Sequence, residues 1–154
     1  MSESMEVVVR RLTAYSDDTA QGLGLLRPDL SAGRTGAIAD PEILQEIISS
    51  EYHDQYVAEL RGRIIGAATM SLHFGALSGG RRAWLEDFVV SSDSEVRGKG
   101  VGHMLFWDGV IAWSKEMQAT QLWFNSHHTR EAAHKFYKRQ GAQINETSPF
   151  VLDI

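Results

Sequence analysis

Between positions 97 and 102 the chain reads Arg97-Gly98-Lys99-Gly100-Val101-Gly102, directly ahead of its longest helical pattern. No other stretch restricts the fold as much. A turn with so few Cβ atoms lets a ligand come close to the backbone. The first N–H groups of the helix that follows have no internal acceptor. Together with the helix dipole they make an anion site suited to a pyrophosphate. Arg97 and Lys99 add positive charge to a chain whose net charge is −5. A dinucleotide fingerprint starting at Gly98 would need glycine at position 103, which is His103. No stretch supplies a P-loop. The alternative is a plain glycine-rich turn ahead of a helix.

The neighbouring segments predict a mixed sheet. Met5 to Leu12 is valine-rich and predicts a first strand. Asp17 to Leu26 predicts a helix with Asp17 as N-cap, weakened by Gly22 and Gly24. Arg27 to Asp40 reads as a loop. Asp40-Pro41-Glu42 is a helix start, and Ile43, Leu44, Ile47 and Ile48 form its apolar face. His53 to Leu60 and Arg63 to Phe74 read as strands joined by a turn at Arg61-Gly62. Gly75 to Arg82 reads as a loop, and Ala83 to Val90 as a third hairpin partner, central in the sheet. Gly100 to Met117 predicts one continuous helix with two apolar stripes, Phe106-Val110-Trp113-Met117 and Met104-Trp107-Ile111. A short strand at Ala119 to Phe124, a helix from Thr129 to Gln140 stopped by Gly141, and one or two closing strands between Gln143 and Ile154 complete the order. The expected fold is thus α/β (α+β): a mixed, mostly antiparallel central sheet with helices over it, in a single domain spanning 1–154.

Composition sets outer limits. The chain has 154 residues, 43% of them hydrophobic and 23% charged, which is ordinary for a globular domain. It has no cysteine, hence no disulfide, thiolate metal site or cysteine nucleophile. An acidic chain argues against nucleic acid as a partner. No run is long and apolar enough for a membrane span, and the start lacks the order of a signal peptide, so a cytoplasmic location is expected. His127-His128 without further ligands at suitable spacing is not a metal signature, and none is expected.

Three motifs stand in order: Glu86-Asp87-Phe88-Val89-Val90 on a strand, the glycine loop from Arg97 to Gly102, and Ala133-His134-Lys135-Phe136-Tyr137 with Gly141 some 35 residues on. This combination resembles the GNAT (GCN5-related) N-acetyltransferase family. Locally, Leu85 to Val90 and Phe136 to Ala142 are similar to the spermidine/spermine N-acetyltransferases. The resemblance implies helices on both faces of the sheet, and a strand ending at Val90 that splays from the strand at Ala119 to Phe124. It implies acetyl-CoA as cofactor, its pantetheine lying in that gap like an extra strand along Phe88, Val89 and Val90. Its pyrophosphate would be held by backbone amides from Arg97 through Gly98, Lys99, Gly100, Val101 and Gly102 to His103. Asn125 is a further candidate contact. Many relatives carry Asn seven residues before the tyrosine; here Arg130 stands there. The resemblance is compatible with a homodimer.

Acetyl transfer to an amine sets three chemical demands. The amine must lose a proton, which costs about 4–5 kcal/mol at pH 7 for a reference pKa of ~10.4. A nearby carboxylate removes it, usually through water. Glu86 is the candidate base, matched to the position used in the spermidine/spermine enzymes, with Asp87 as the alternative. In an ideal strand Trp84, Glu86, Phe88 and Val90 share one face, unless a bulge breaks the parity. The oxyanion needs a donor, for which the N–H of Val89 or Val90 would serve. The leaving thiolate needs an acid or a strong hydrogen bond, and Tyr137 is the family-matched residue. At reference values full transfer from tyrosine (~10) to thiolate (~8.5) runs uphill by about 2 kcal/mol.

The primary expectation is an enzyme that acetylates a small primary amine, polyamine-like acceptors favoured. Asp29, Asp40, Glu42, Glu46, Glu51 and Asp54 are available as acceptor-side carboxylates or as solvated helix faces. Aminoglycoside and peptide amines are alternatives, as is a module that binds acyl-CoA without turnover.

Overall fold

A computed structural model describes residues 6–30 and 38–154. They fall in two compact units, 1–124 and 125–154. In the first, β1 (Val7–Arg11), β2 (His53–Leu60), β3 (Arg63–Gly75) and β4 (Gly80–Val90) pair antiparallel in sequence order. β5 (Gln121–Trp123) joins β4 in parallel, giving an open five-stranded sheet. The β2–β3 turn has positive φ at both Arg61 and Gly62, as a two-residue hairpin of type I′ requires. β4 begins three residues before the expected Ala83. It is not central: β3 holds the middle, because every hairpin adds its strand to the same growing edge.

Helices cover both faces of this sheet. On one side are α1 (Asp17–Gly24), α2 (Arg27–Leu30) and α3 (Pro41–Ser49). The cap of α1 is Ser16, whose Oγ accepts the N–H of Thr19 at 3.1 Å. Asp17 instead lies in the first turn, where its charge complements the helix dipole. α2 occupies part of the expected loop, of which residues 31–37 lie outside the described residues. Asp40 caps α3 as expected, accepting from the N–H groups of Glu42 and Ile43 at 3.0 and 3.2 Å. Leu12, Ala20, Leu44 and Val57 form one core cluster beneath these helices; Leu26, Ala67 and Val89 form another.

The opposite face carries a continuous helical rod: α4 (Val101–Met104), a π-helical segment (Leu105–Ile111) and α5 (Ala112–Glu116). A single α-helix was the expectation; its middle is instead wound wider. Gly109, inside the π segment, presses against the sheet so closely that a Cβ there would sit 3.2 Å from the Tyr56 ring. Trp113 anchors the rod. It is fully buried, and its indole N–H donates to Asp54 Oδ2 at 2.6 Å. Burying an indole removes roughly 150–250 Å² from water and contributes about 4–6 kcal/mol. Arg11 closes the cluster, donating to Glu116 at 2.6 Å and to the Tyr56 hydroxyl at 3.2 Å.

In the second unit, α6 (Glu131–Arg139) ends in a complete Schellman motif. Gly141 N–H donates to Lys138 O at 3.0 Å, and Ala142 N–H donates to Tyr137 O at 3.1 Å. Gly141 supports this with a φ of +96°, the stop role expected of it. The closing strands expected in 143–154 are absent; these residues carry no regular secondary structure. The run Phe150-Val151-Leu152 suits a strand, but a strand needs a partner edge.

Burial raises the pKa of Asp54 above 3.8, opposed by the Trp113 hydrogen bond and the Arg11 charge. Between its raised folded value and 3.8 the folded chain therefore binds a proton that the unfolded chain does not, so Asp54 favours folding as the pH falls through that window. Urea unfolding of wild type and Asp54→Asn should show wild type gaining stability relative to the variant on acidification from about pH 7 to about pH 4. Parallel pH dependences would contradict this assignment.

Candidate active site

Pairing between β4 and β5 covers only three positions: Arg82 with Gln121, Ala83 with Leu122, and Trp84 with Trp123. β4 then runs on from Leu85 to Val90 with no strand on that side among the described residues. The expected gap between these strands is therefore a stretch of β4 with a neighbouring strand on one side only among the described residues, the kind of edge to which an extended ligand arm can add.

The same stretch contains a bulge. Thr69 of β3 faces Glu86 and Ala67 faces Val89, so two steps on β3 match three on β4. The extra length is taken up at Asp87, whose φ is +48°, a left-handed conformation that costs a non-glycine residue about 1–3 kcal/mol. The bulge flips the parity of the strand. Trp84, Glu86 and Val89 share one face, and Leu85 and Val90 share the other. The ideal-strand grouping of Glu86 with Phe88 and Val90 thus fails, for the reason the bulge supplies.

Each candidate on β4 has a distinct setting. Glu86 is exposed and accepts a hydrogen bond from the Trp84 indole N–H. Trp84 stacks on His73, with centroids 5.5 Å apart and planes at 16°, and Arg82 lies over the Trp123 ring at 5.0 Å. Beside Glu86 on neighbouring strands is a buried polar pair: Thr69 Oγ1 donates to Gln55 Oε1 at 2.9 Å, and Gln55 Nε2 donates to Ala68 O at 3.0 Å. Phe88 meets Phe106 edge-on at 6.1 Å, Val89 is buried with Leu26 and Ala67, and Val90 faces Gly66.

α4 packs beside β4. Ahead of it, the amides of Arg97 and Lys99 are already used, donating to Asp93 O at 3.0 Å and Val96 O at 3.3 Å. Gly98 and Gly100 have φ of +72° and +76°, and a Cβ at either would meet nothing within 4 Å. The space over the turn is open. Met104 N–H makes the first helical bond, to Gly100 O, so Val101, Gly102 and His103 fill the positions whose amides have no intrahelical acceptor. The side chains of Arg97, Lys99 and His103 are exposed around them, and His103 lies 6.3 Å from the Trp107 ring. These features fit a diphosphate: donors from Gly100 to His103, cations beside them, and room for the oxygens.

Asn125, Arg130 and Tyr137 belong to the second unit. Asn125 is exposed two residues after β5, and Arg130 occupies the N-cap position of α6. Tyr137 is buried, and burial raises its pKa above 10.0, partly offset by the Arg130 charge. His127 Nδ1 lies 2.7 Å from the Thr129 hydroxyl, and its ring stacks with His128. Among the described residues no three His, Cys, Asp or Glu are grouped to hold a metal ion. Of the acceptor-side carboxylates, Asp40 serves as a cap, Asp29 accepts from Ser92 N–H at 3.2 Å, and Asp54 lies under the opposite helical rod.

Sequence reasoning did not find His73, Gln55 and Thr69 beside Glu86, since only strand register brings them there. Trp84, two residues from Glu86, was legible from strand alternation.

The Acetyltransferase (GNAT) family model matches residues 25–142, most of the chain. The chain belongs to the GNAT acetyltransferase family. This GNAT chain superposes on a transcriptional regulator from Bacillus halodurans C-125 with a TM-score of 0.81 at 18% identity, covering 97% of this chain and 100% of that one. Aminoglycoside N-acetyltransferase AAC(6')-Iy, solved in complex with CoA, gives 0.79 at 18% identity over 99% and 98%. An aminoglycoside acetyltransferase from an uncultured soil metagenomic sample, solved with sisomicin, gives 0.77 at 17% over 96% of each chain. At these identities the likeness is one of fold. No curated protein matches the sequence.

The bulge makes a direct prediction. Asp87→Val places a β-branched residue at positive φ and should lower stability by about 1–3 kcal/mol, whereas Asp87→Gly should hold or raise it. Equilibrium urea unfolding separates the two; equal losses would show that the strain lies elsewhere.

Proposed function

We propose that this GNAT chain transfers an acetyl group from acetyl-CoA to a small primary amine, polyamine-like acceptors included, with residues 1–154 acting as one functional domain in the cytoplasm. The observation that carries the proposal is the stop in β4–β5 pairing at Trp84, which leaves β4 from Leu85 to Val90 without a neighbouring strand on that side among the described residues, with the open glycine turn at one end and Glu86 on one face. The cofactor supplies an acyl group activated as a thioester. Peptide groups of Phe88, Val89 and Val90 hold its arm; the amides from Gly100 to His103, with the Gly98 turn and the Arg97 and Lys99 side chains, hold its diphosphate. Asn125 and Arg130 are assigned to cofactor contact.

Glu86 takes the proton from the ammonium form of the acceptor, directly or through water. Its bond from Trp84 fixes the carboxylate and leaves its second oxygen for that task. The bulge turns a peptide N–H at Val89 or Val90 toward the reacting carbonyl oxygen. Tyr137, with its pKa raised, stays protonated across the physiological range and donates a hydrogen bond to the departing thiolate. That direction of shift favours hydrogen bonding over complete proton transfer. The proposed assembly is a homodimer.

An amine panel of diamines, polyamines, aminoglycosides and amino acids with acetyl-CoA should release free CoA thiol for at least one member. On that amine Glu86→Gln should lower kcat by about 10²–10⁴-fold, most severely near neutral pH. Tyr137→Phe should lower it by about 10- to 150-fold, the worth of one hydrogen bond to a charged group. Tight CoA binding by calorimetry with no turnover across the panel would instead identify a binding module. Full activity in both variants would refute the roles.

A further inference from the structure

Three polar residues stand in a row across the sheet on one face: Gln55 of β2 pairs with Thr69 of β3, and Thr69 pairs with Glu86 of β4. Their hydrogens follow by elimination. Both amide hydrogens of Gln55 are spent, Nε2 donating to Ala68 O at 3.0 Å and to Tyr56 O at 3.2 Å. A flipped amide would set Oε1 against two carbonyl oxygens, so Oε1 is the atom that faces Thr69. Oε1 only accepts, and a threonine hydroxyl has a single hydrogen. That hydrogen is therefore committed to Gln55, at 2.9 Å. Thr69 Oγ1 is left with lone pairs alone and accepts no bond among the described residues. Gln55 and Thr69 are buried, which shields this arrangement from competing water. Glu86 beside them is exposed, and its Oε1 takes the Trp84 indole N–H, which leaves Oε2. Trp84 is itself held by its stack on His73. An ionised carboxylate also only accepts. Two oxygens that accept without donating thus stand on directly opposed residues of adjacent strands.

We infer that Thr69 Oγ1 and Glu86 Oε2 together seat the reacting nitrogen, and that this seat selects a primary ammonium. The inference rests on the reading of Glu86 as the base. It adds Thr69 as a second contact to the nitrogen and Gln55 as the positioning residue behind it. Directly opposed side chains have Cβ atoms about 4.5–5.5 Å apart, a gap that one nitrogen spans with N–H···O bonds of about 2.7–3.0 Å. A primary ammonium has an N–H for Glu86, another for Thr69 and one to spare. A dimethylated ammonium has a single N–H and reaches only one of the two oxygens. When the proton on the Glu86 side passes to Oε2, the electron pair it leaves on nitrogen forms the new C–N bond. That bond replaces the acyl–sulfur bond, whose electrons leave on sulfur. Glu86 is neutral after the transfer and attracts the amine less, whereas the N–H on Thr69 is still held. Gln55 keeps the seat open. Without it the Thr69 hydroxyl would turn and donate to Glu86 Oε2, closing both oxygens to a ligand.

Calorimetric titration with CoA present should show wild type binding 1,4-diaminobutane about tenfold or more tighter than its N,N,N′,N′-tetramethyl form, the worth of one hydrogen bond to a charged group. Thr69→Val, nearly equal in shape, should weaken the primary diamine about tenfold or more and leave the methylated one within about twofold. Thr69→Ser should restore the preference. Gln55→Met should also reduce it, and carries the same test where Thr69→Val does not fold. CoA affinity should be unchanged in all three variants. Equal losses for both diamines, or no loss for either, would overturn the Thr69 contact, since a merely structural role does not tell one from the other. A wild type without saturable binding of 1,4-diaminobutane would overturn the seat. If Glu86→Gln lowers kcat on a member of the amine panel while Thr69→Val leaves the preference unmoved, the base reading stands and this inference falls.

Discussion

Parallel pairing between β4 and β5 stops at Trp84 and Trp123, and the chemistry proposed for this protein depends on that stop. A strand inside a sheet spends its peptide groups on both neighbours. Past Trp84, β4 has a neighbouring strand on one side only, β3, among the described residues. A strand edge without a neighbouring strand can offer its peptide groups to water or to a ligand. In the proposed reading an extended arm ending in an activated acyl group lies along that edge, and a seat formed before the ligand arrives lowers the cost of binding it.

The bulge at Asp87 couples that seat to the acceptor face. One extra residue puts Glu86 and Val89 on the same side of the sheet, although they are three positions apart. A carboxylate and the packing residue Val89 thereby bracket the end of the open edge. The strain of a left-handed aspartate is held by what surrounds it: Val89 is locked by Leu26 and Ala67, and Ser91 N–H donates to Ile65 O at 2.8 Å just beyond. On the preceding side Leu85 is buried, so a local distortion of this kind survives between two packed flanks.

Much of this was legible in the residues. Asp40-Pro41 marked a helix start, Arg61-Gly62 a hairpin turn and Gly141 a helix stop, because each carries a local backbone demand that one or two residue types meet. The glycine turn and its helix were legible for the same reason. What was not legible depends on distant partners. Nothing near Gly109 announces a π segment; the wider winding goes with Tyr56, which lies far away in sequence. Nothing in Phe150-Val151-Leu152 tells whether a partner edge is on hand. Asp54 looked like one of several solvated carboxylates until register set it beneath Trp113. The motifs singled out Glu86 and Tyr137 as candidates by type and spacing, while the His73–Trp84 stack and the Gln55–Thr69 pair near Glu86 follow from strand register alone.

The π segment also sets a geometric limit on how this helix can vary. α4 and α5 belong to one rod, yet α5 is fastened by Trp113 while α4 carries the amides above the glycine turn. Each residue of an α-helix rotates the chain by about 100°. Deleting one residue between Leu105 and Ile111 would tighten the wide turns toward ordinary winding. With the indole held fast, the unwinding angle would be passed to the other end, and the N–H groups of Val101, Gly102 and His103 would swing away from the space over Gly98. The wide turns thus work as a phase adjuster between the anchor and the amides at the start of the rod.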